Sequence, residues 1–562
     1  MRKVFANADL AGSLCSYYTG SLRREKMQYL QVLARLGKCE GEIHCQQFSH
    51  IIPELCRELQ RLKFSESRDF SHIRSILLCF ASFAQDNYCA SMMLENGVHQ
   101  KLLEALGEGL AFPELARLLL ELTSSPLHFL PRALLARTDL LVEAARGSQQ
   151  RQRVHLVGTI CQMMQWKDAH SFVVSSGALS LLSESLNDGS PTLRQAASGA
   201  ICLLSEKASL HPLLMGERCF KQILLASLCE TDDTVQRNLA TIFHRLSSRR
   251  DRKLANHLHK YPLLVPAMLC VHRSKEESVR AEIFASIANL AYEDSFLPFL
   301  PLVFQQVSLL QSRSEEVKSL HLQFLSNTVS VVREDALLSD LFSLQGNILR
   351  KIASSKPSRN SLHIFSNLME RKVMLNHMPL HKVSEHLLQY FNTSDLSAMD
   401  WKRISFSFEF LLKNNPSFHP LLLSNTNWAN VENSIEFSSS VRAARFFEQS
   451  VFNEASGSSQ EAWNSFFSSK GLSCLKRLTL YDDKQVDLSV ANCVYNILQL
   501  KRREGSGLEN IDVNKLLYDH GLVKWLAKTV RKRQNDQHFE VTKSCLQILK
   551  EDDRYQKELQ KK

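Results

Sequence analysis

Apolar residues recur along this chain at intervals of three and four, separated by polar or small ones, which is the spacing of one buried helical face. The pattern is clearest in Gly177-Ala178-Leu179-Ser180-Leu181-Leu182, a polar turn through Asn187-Asp188-Gly189-Ser190-Pro191, and then Leu193 to Leu204. It predicts a short helix, a turn and a long final helix. Equivalent starts of the final helix fall at His72, Ala111, Gln152, Leu193, Val235, Val279, Val317, Pro357, Lys402 and Val486. Subtraction gives steps of 38 to 45 residues and one of 84, which hides a faint unit.

Several final helices end alike, as in Ile287-Ala288-Asn289-Leu290, Leu325-Ser326-Asn327-Thr328, Phe365-Ser366-Asn367-Leu368 and Val494-Tyr495-Asn496-Ile497. Upstream, Gly97, Gly177, Gly471 and Gly521 each precede an apolar run, and glycine there is expected to turn the chain between helices. Units that cannot bury their apolar faces alone must stack on their neighbours, so the period predicts a solenoid with an extended binding surface.

Glycine, short helix, polar turn and a long helix ending Leu-Ser-Asn-Leu at about 42 residues resembles the armadillo repeat. The match is close for Gly177 to Ser205 and Tyr261 to Ala291, and fair for the units starting at Val235, Val317, Pro357 and Val486. It is loose elsewhere and fades between Lys402 and Lys470, and the related HEAT-type repeat stays open where the glycine is missing. The resemblance implies an all-α fold, an armadillo-like right-handed helical solenoid.

The expected organisation is degenerate armadillo-like repeats over 1–165 and well-formed repeats over 166–370. Degenerate helical repeats with a Ser/Asn/Phe-rich loop follow over 371–468, then C-terminal repeats over 469–550 and a charged tail over 551–562.

In the armadillo family the final helix lines a concave groove, and asparagines on it hydrogen-bond the backbone of an extended peptide. The resemblance therefore singles out Asn289, Asn327, Asn367 and Asn496 as groove candidates. A second reading, that these asparagines cap or pack between helices, stays open. The importin-alpha branch sets a tryptophan one turn before the asparagine, whereas this chain has Ala285, Gln323 and His363 there, so nuclear-localisation peptides are not the expected ligand.

Composition adds limits. With 562 residues, 44% of them hydrophobic and 22% charged, the chain can bury a large core. Most of its 14 cysteines sit inside apolar phrases, which fits free thiols in a reducing compartment. Asn7 and Asp9 interrupt the first apolar stretch, and no run is long enough to span a bilayer. The expectation is a soluble intracellular protein, cytosolic or nuclear.

The net charge of +10 is small beside 68 basic and 58 acidic residues. Basic clusters stand at Arg249, Arg250, Arg252 and Lys253, at Lys501, Arg502 and Arg503, and at Arg531, Lys532 and Arg533. They are candidates for a nucleic-acid patch, but such runs at repeat junctions are usually solvated turns.

No phosphate loop, dinucleotide fingerprint, nucleophile elbow or paired-histidine zinc helix is present in the sequence. Cys39, His44, Cys45, His50 and Cys56 lack the paired spacing of a zinc site. The sequence thus reads as a non-catalytic adaptor without cofactor or metal, binding a protein partner as an extended peptide or helix. Two other readings are open: a structural part of a cytoskeletal, ciliary or chromosomal assembly, and weak nucleic-acid binding through the basic clusters.

Overall fold

A computed structural model describes residues 13–552 except 14–15, 19, 22, 37–48, 65–68, 111, 125–134, 167–168, 170–171, 173–174, 249–252, 372–377, 394, 416, 452–459, 469, 504–505, 509 and 533–536. Every regular element among the described residues is helical. The chain divides into two compact units, Met1–Leu290 and Ala291–Lys562.

In the first unit the long helices form one file: α1 (Arg23–Leu36), α2 (Phe70–Phe83), α3 (Pro113–Ser124), α4 (Gln150–Met163), α5 (Pro191–Leu204), α6 (Asp233–Leu246) and α7 (Glu277–Leu290). Each packs on the next. A second layer, including Ala178–Ser185, Glu217–Cys229 and Leu264–His272, stacks behind them.

The local causes are readable in α6, where the Asp232 side chain accepts from the amides of Thr234 and Val235 and so satisfies two orphan donors. Val235, Leu239, Ile242, Phe243 and Leu246 then form its buried stripe. In α5, Pro191 takes a first-turn position, where its missing N–H costs nothing.

The second unit continues the same construction with α8 (Glu315–Val331), α9 (Arg359–Glu370), α10 (Ala398–Asn414), α11 (Ser440–Phe446), α12 (Lys484–Lys501) and α13 (Gln537–Lys550), each packed on its successor. The starts from His72 to Val486 mark these long helices, with those at Ala111 and Pro357 falling two residues before helix onset. The faint unit inside the 84-residue step is α11, prolonged by a single π-helical turn at Phe447–Val451.

The repeat pattern fades there because the core changes from aliphatic to aromatic. Phe391, Trp401, Phe408 and Phe446 meet edge to face or tilted at centroid distances of 5.4 to 5.8 Å, and Trp428 contacts Phe447 and Phe466. Large rings at those positions displace the Leu and Ala periodicity while burying more surface per residue.

The glycine expectation holds at three of its four positions. Gly97, Gly177 and Gly521 adopt φ of 72°, 76° and 74°. At the fourth the left-handed residue is Lys470, with φ of 68°, and not Gly471. Gly471 is needed for room instead: a Cβ there would lie 2.3 Å from Cε2 of the Phe466 ring.

Candidate functional site

Once each final helix has buried its apolar stripe against its neighbours and the second layer, one stripe faces solvent. On α9 it runs Arg359, Asn360, His363, Asn367 and Glu370, and on α10 Met399, Lys402, Arg403, Phe406, Glu409 and Lys413. These stripes form a wall, and of the candidate asparagines Asn367 stands on its α9 stripe.

Asn289 on α7 in the first unit is half-buried, as are Asn367 on α9 and Asn496 on α12 in the second. Their side-chain amides have no hydrogen-bond partner among the described residues. Asn327 on α8 differs: it is 6% exposed and already engaged within the packing. An amide at that depth cannot reach a ligand, so Asn327 leaves the set of contact candidates.

The register linking α8 to α9 is fixed by a hydrogen bond of 2.7 Å between Ser326 Oγ and His363 Nδ1. In the first unit Thr241 Oγ1 donates to Glu282 Oε2 at 2.6 Å, the same step from one final helix to the next. Burial holds the His363 imidazole down to about 4, with Arg403 pushing the same way, so the ring is neutral at physiological pH.

At the equivalent position of α6 an arginine ties two repeats together. Arg245 Nη1 donates to the Cys202 carbonyl at 2.6 Å and to Ser205 Oγ at 3.2 Å, while Nη2 pairs with Glu206 at 3.1 Å. In the second unit Arg371 makes a similar reach from the end of α9 to the carbonyl of Val332 and the carboxylate of Asp335.

A feature that the sequence reading missed runs along the N-terminal ends of these helices. Arg74 pairs with Glu114, Arg153 with Asp188, Arg194 with Glu230 and Arg237 with Glu276, at 2.8, 3.8, 2.8 and 2.6 Å. Each arginine lies near the start of one final helix and each carboxylate at or before the start of the next. The available signal is an arginine one or two residues after the starts at His72, Gln152, Leu193 and Val235, spaced along the chain and not clustered.

The basic clusters fare differently. Arg249, Arg250, Arg252 and Arg533 lie outside the described residues, and Lys253 opens the short helix Lys253–Asn256. Lys501 is half-buried at the end of α12, Arg503 and Arg531 are exposed, Arg502 pairs with Glu551, and Lys532 pairs with Asp482 at 2.6 Å. Two of the C-terminal cations are therefore paired within the chain, both at exposed sites.

Of the metal-like cluster, Cys39, His44 and Cys45 lie outside the described residues, and Cys56 faces the core of the helix Ile52–Arg61, where burial pushes its thiol up to about 12. Among the described residues no group of three His, Cys, Asp or Glu side chains could hold a metal ion, and no helix is long and apolar enough to cross a membrane.

No family model and no curated protein matches the sequence. Solved structures do match in fold. One, described as "A conserved phosphorylation switch controls the interaction between cadherin and beta-catenin in vitro and in vivo", has a TM-score of 0.50 and 12% identity, covering 96% of this chain and 100% of the other. A designed armadillo repeat protein in complex with the peptide (KR)4 matches with a TM-score of 0.36 and 16% identity, over 42% of this chain and 99% of that one. The fold is that of the armadillo-repeat solenoids.

Proposed function

We propose that this armadillo-fold chain is a non-catalytic adaptor that binds an extended segment of a partner protein along the solvent-facing stripes of its final helices. Asn289 is assigned to grip the backbone of a segment bound along the first unit, and Asn367 and Asn496 that of a segment bound along the second, each unit taken by itself. The observation that carries the reading is the half-buried state of these three amides with no partner among the described residues.

An extended segment brings unpaired N–H and C=O groups, and a side-chain amide can both donate and accept. Binding without a sequence-reading pocket follows from that chemistry. The fold match to a structure concerned with the interaction between cadherin and beta-catenin supports protein binding as the general role. Pairing of Arg502 and Lys532 within the chain weighs against nucleic acid on the C-terminal face.

The test starts from segments selected by display of a random peptide library on the full chain. Each of Asn289→Ala, Asn367→Ala and Asn496→Ala removes one neutral hydrogen-bonding group, which corresponds to roughly a 2- to 10-fold loss of affinity. Melting should be unchanged, since these amides hold nothing within the chain. Unaltered affinity in all three variants, or crosslinks confined to the second helix layer, would remove the wall as the site.

A further inference from the structure

We propose that the wall of the second unit takes an acidic segment of a partner protein, held across α9, α10 and α11 by Arg359, Lys402, Arg403, Arg442 and Arg445. The inference rests on the adaptor reading and adds the chemistry of the partner. The three helices are consecutive in the file, and contacts between them bring the cations together. Arg359 Nη2 donates to Asp400 Oδ2 on α10 at 2.9 Å, and Arg442 donates to the Ala398 carbonyl at the start of α10.

Charge on this band is not balanced from within. Asp400 lies beside Arg359 and Arg403; it is 0% exposed and its ion-pair partner is Arg359. Arg442 and Arg445 donate to neutral acceptors, the Ala398 carbonyl and the Gln485 side-chain oxygen, which order a guanidinium without cancelling its charge. Lys402 is exposed with no carboxylate partner among the described residues.

Of the other acids, Glu370 sits at the far end of α9 and Glu409 pairs with Lys413 at 2.8 Å, while Glu448, three residues after Arg445, accepts from the neutral Asn492 at 2.7 Å and keeps its charge, so one acid stands against the five cations at that end of the band. In the first unit, by contrast, Arg74, Arg153, Arg194 and Arg237 each meet a carboxylate of the following repeat.

Arg403 sharpens the argument. It is half-buried, and this desolvation outweighs the attraction of the buried Asp400, while the like charge of Arg359 adds to the strain. An incoming anion relieves the repulsion and replaces lost hydration with charge-assisted hydrogen bonds. On the same stripe Met399 is 51% and Phe406 37% exposed, offering apolar contact between the cations.

Geometry sets the spacing of the ligand. Packed helices lie roughly 8–10 Å apart, and a segment in the extended polyproline II form advances about 3.1 Å per residue and returns to the same face every three residues, so about three residues span one helix. Acidic side chains at every third position would therefore meet successive helices. A nucleic-acid strand is disfavoured because a single exposed ring, Phe406, offers no series of stacking platforms on this band.

Fluorescence anisotropy on the full chain distinguishes the outcomes. The probes are a short peptide with Asp or Glu at every third position and apolar residues between, its phosphoserine counterpart, a neutral Ser/Asn version, and a single-stranded oligonucleotide. The period-three acidic peptide should bind, more weakly as salt rises, and the variant Lys402→Glu/Arg403→Glu should bind it roughly tenfold or more weakly.

Arg445→Glu, at an exposed site, provides a second variant, and Lys221→Glu in the first unit is the control that should leave binding unchanged. Binding of the phosphoserine peptide alone assigns the band to phosphorylated segments, whereas binding of both assigns it to acidic segments in general. Equal affinity in the charge-reversed variants, or tighter binding of the oligonucleotide, overturns the proposal. Equal binding of the neutral peptide overturns the acidic specificity and leaves the adaptor reading standing. If peptides selected from the random library also fail to bind the wall, the adaptor reading itself fails.

Discussion

Replacing Gly471 with alanine tests whether packing or backbone conformation demands glycine at the head of the helix Gly471–Leu478. The added Cβ would lie 2.3, 2.5 and 2.5 Å from Cε2, Cδ2 and Cζ of Phe466. That ring cannot simply turn aside: it is 0% exposed and packed against Trp428, Trp463 and Phe467, with centroids at 4.9, 6.0 and 5.3 Å. Overpacking of this kind costs about 3 kcal/mol, the upper part of the usual range.

Gly177→Ala has open space around the new Cβ and suffers only its φ of 76°, a cost of about 1 kcal/mol. Lys470→Gly relieves a φ of 68° but adds freedom to the unfolded chain, so it should stay within about 0.5 kcal/mol of the parent. Urea denaturation followed by tryptophan fluorescence reads the site directly, since Trp428 and Trp463 both touch Phe466. Phe466→Leu combined with Gly471→Ala should cost about 1–2 kcal/mol less than the sum of the single changes. A Gly471→Ala effect no larger than that of Gly177→Ala, or strict additivity in the double variant, would refute the steric account.

Two further outcomes are expected. Arg194→Ala breaks a pair in which Glu230 is only 3% and Arg194 20% exposed, and leaves a buried carboxylate, so denaturation should show a loss of about 1–2 kcal/mol; the exposed Arg237→Ala should show no measurable change. Burial lowers His272, His363 and His386 to about 4 from 6.5, so the unfolded chain binds more protons between those values. Stability should therefore be full above pH 6.5 and fall as pH drops towards 4; a urea midpoint flat over that window would contradict the buried neutral state.

The repeat was legible because burial follows local spacing: Val235, Leu239, Ile242 and Leu246 announce the buried face of α6 without knowledge of any neighbour. What sets the repeats against one another was not legible. Arg194 and Glu230, or Ser326 and His363, are separated by more than thirty residues and meet only after stacking. Arg249 and Lys501 stand in runs that a local reading detects, whereas the paired arginines are spaced singly along the chain and form no run. Asn327 and Asn367 looked equivalent by the residues preceding them, Leu-Ser and Phe-Ser. Depth separates them, and depth depends on the packing of α8 against its neighbours.

Spaced arginines serve two ends in this fold, and what decides between them is the residue supplied by the next repeat. Where a carboxylate stands at or before the start of the following final helix, as at Glu230 or Glu276, the guanidinium is used up in holding register. Where the carboxylates before the next helix are taken up elsewhere, as Asp483 is in capping α12 and Asp482 in pairing Lys532, Arg445 meets the neutral Gln485 instead, a contact that orders the side chain without cancelling its charge. Introducing the missing carboxylate should then convert one use into the other. Gln485→Glu would pair Arg445 within the chain, leaving stability unchanged or slightly raised while weakening any acidic segment bound at that point. On the proposed reading, the recognition surface of the second unit lies where its own repeats fail to neutralise one another.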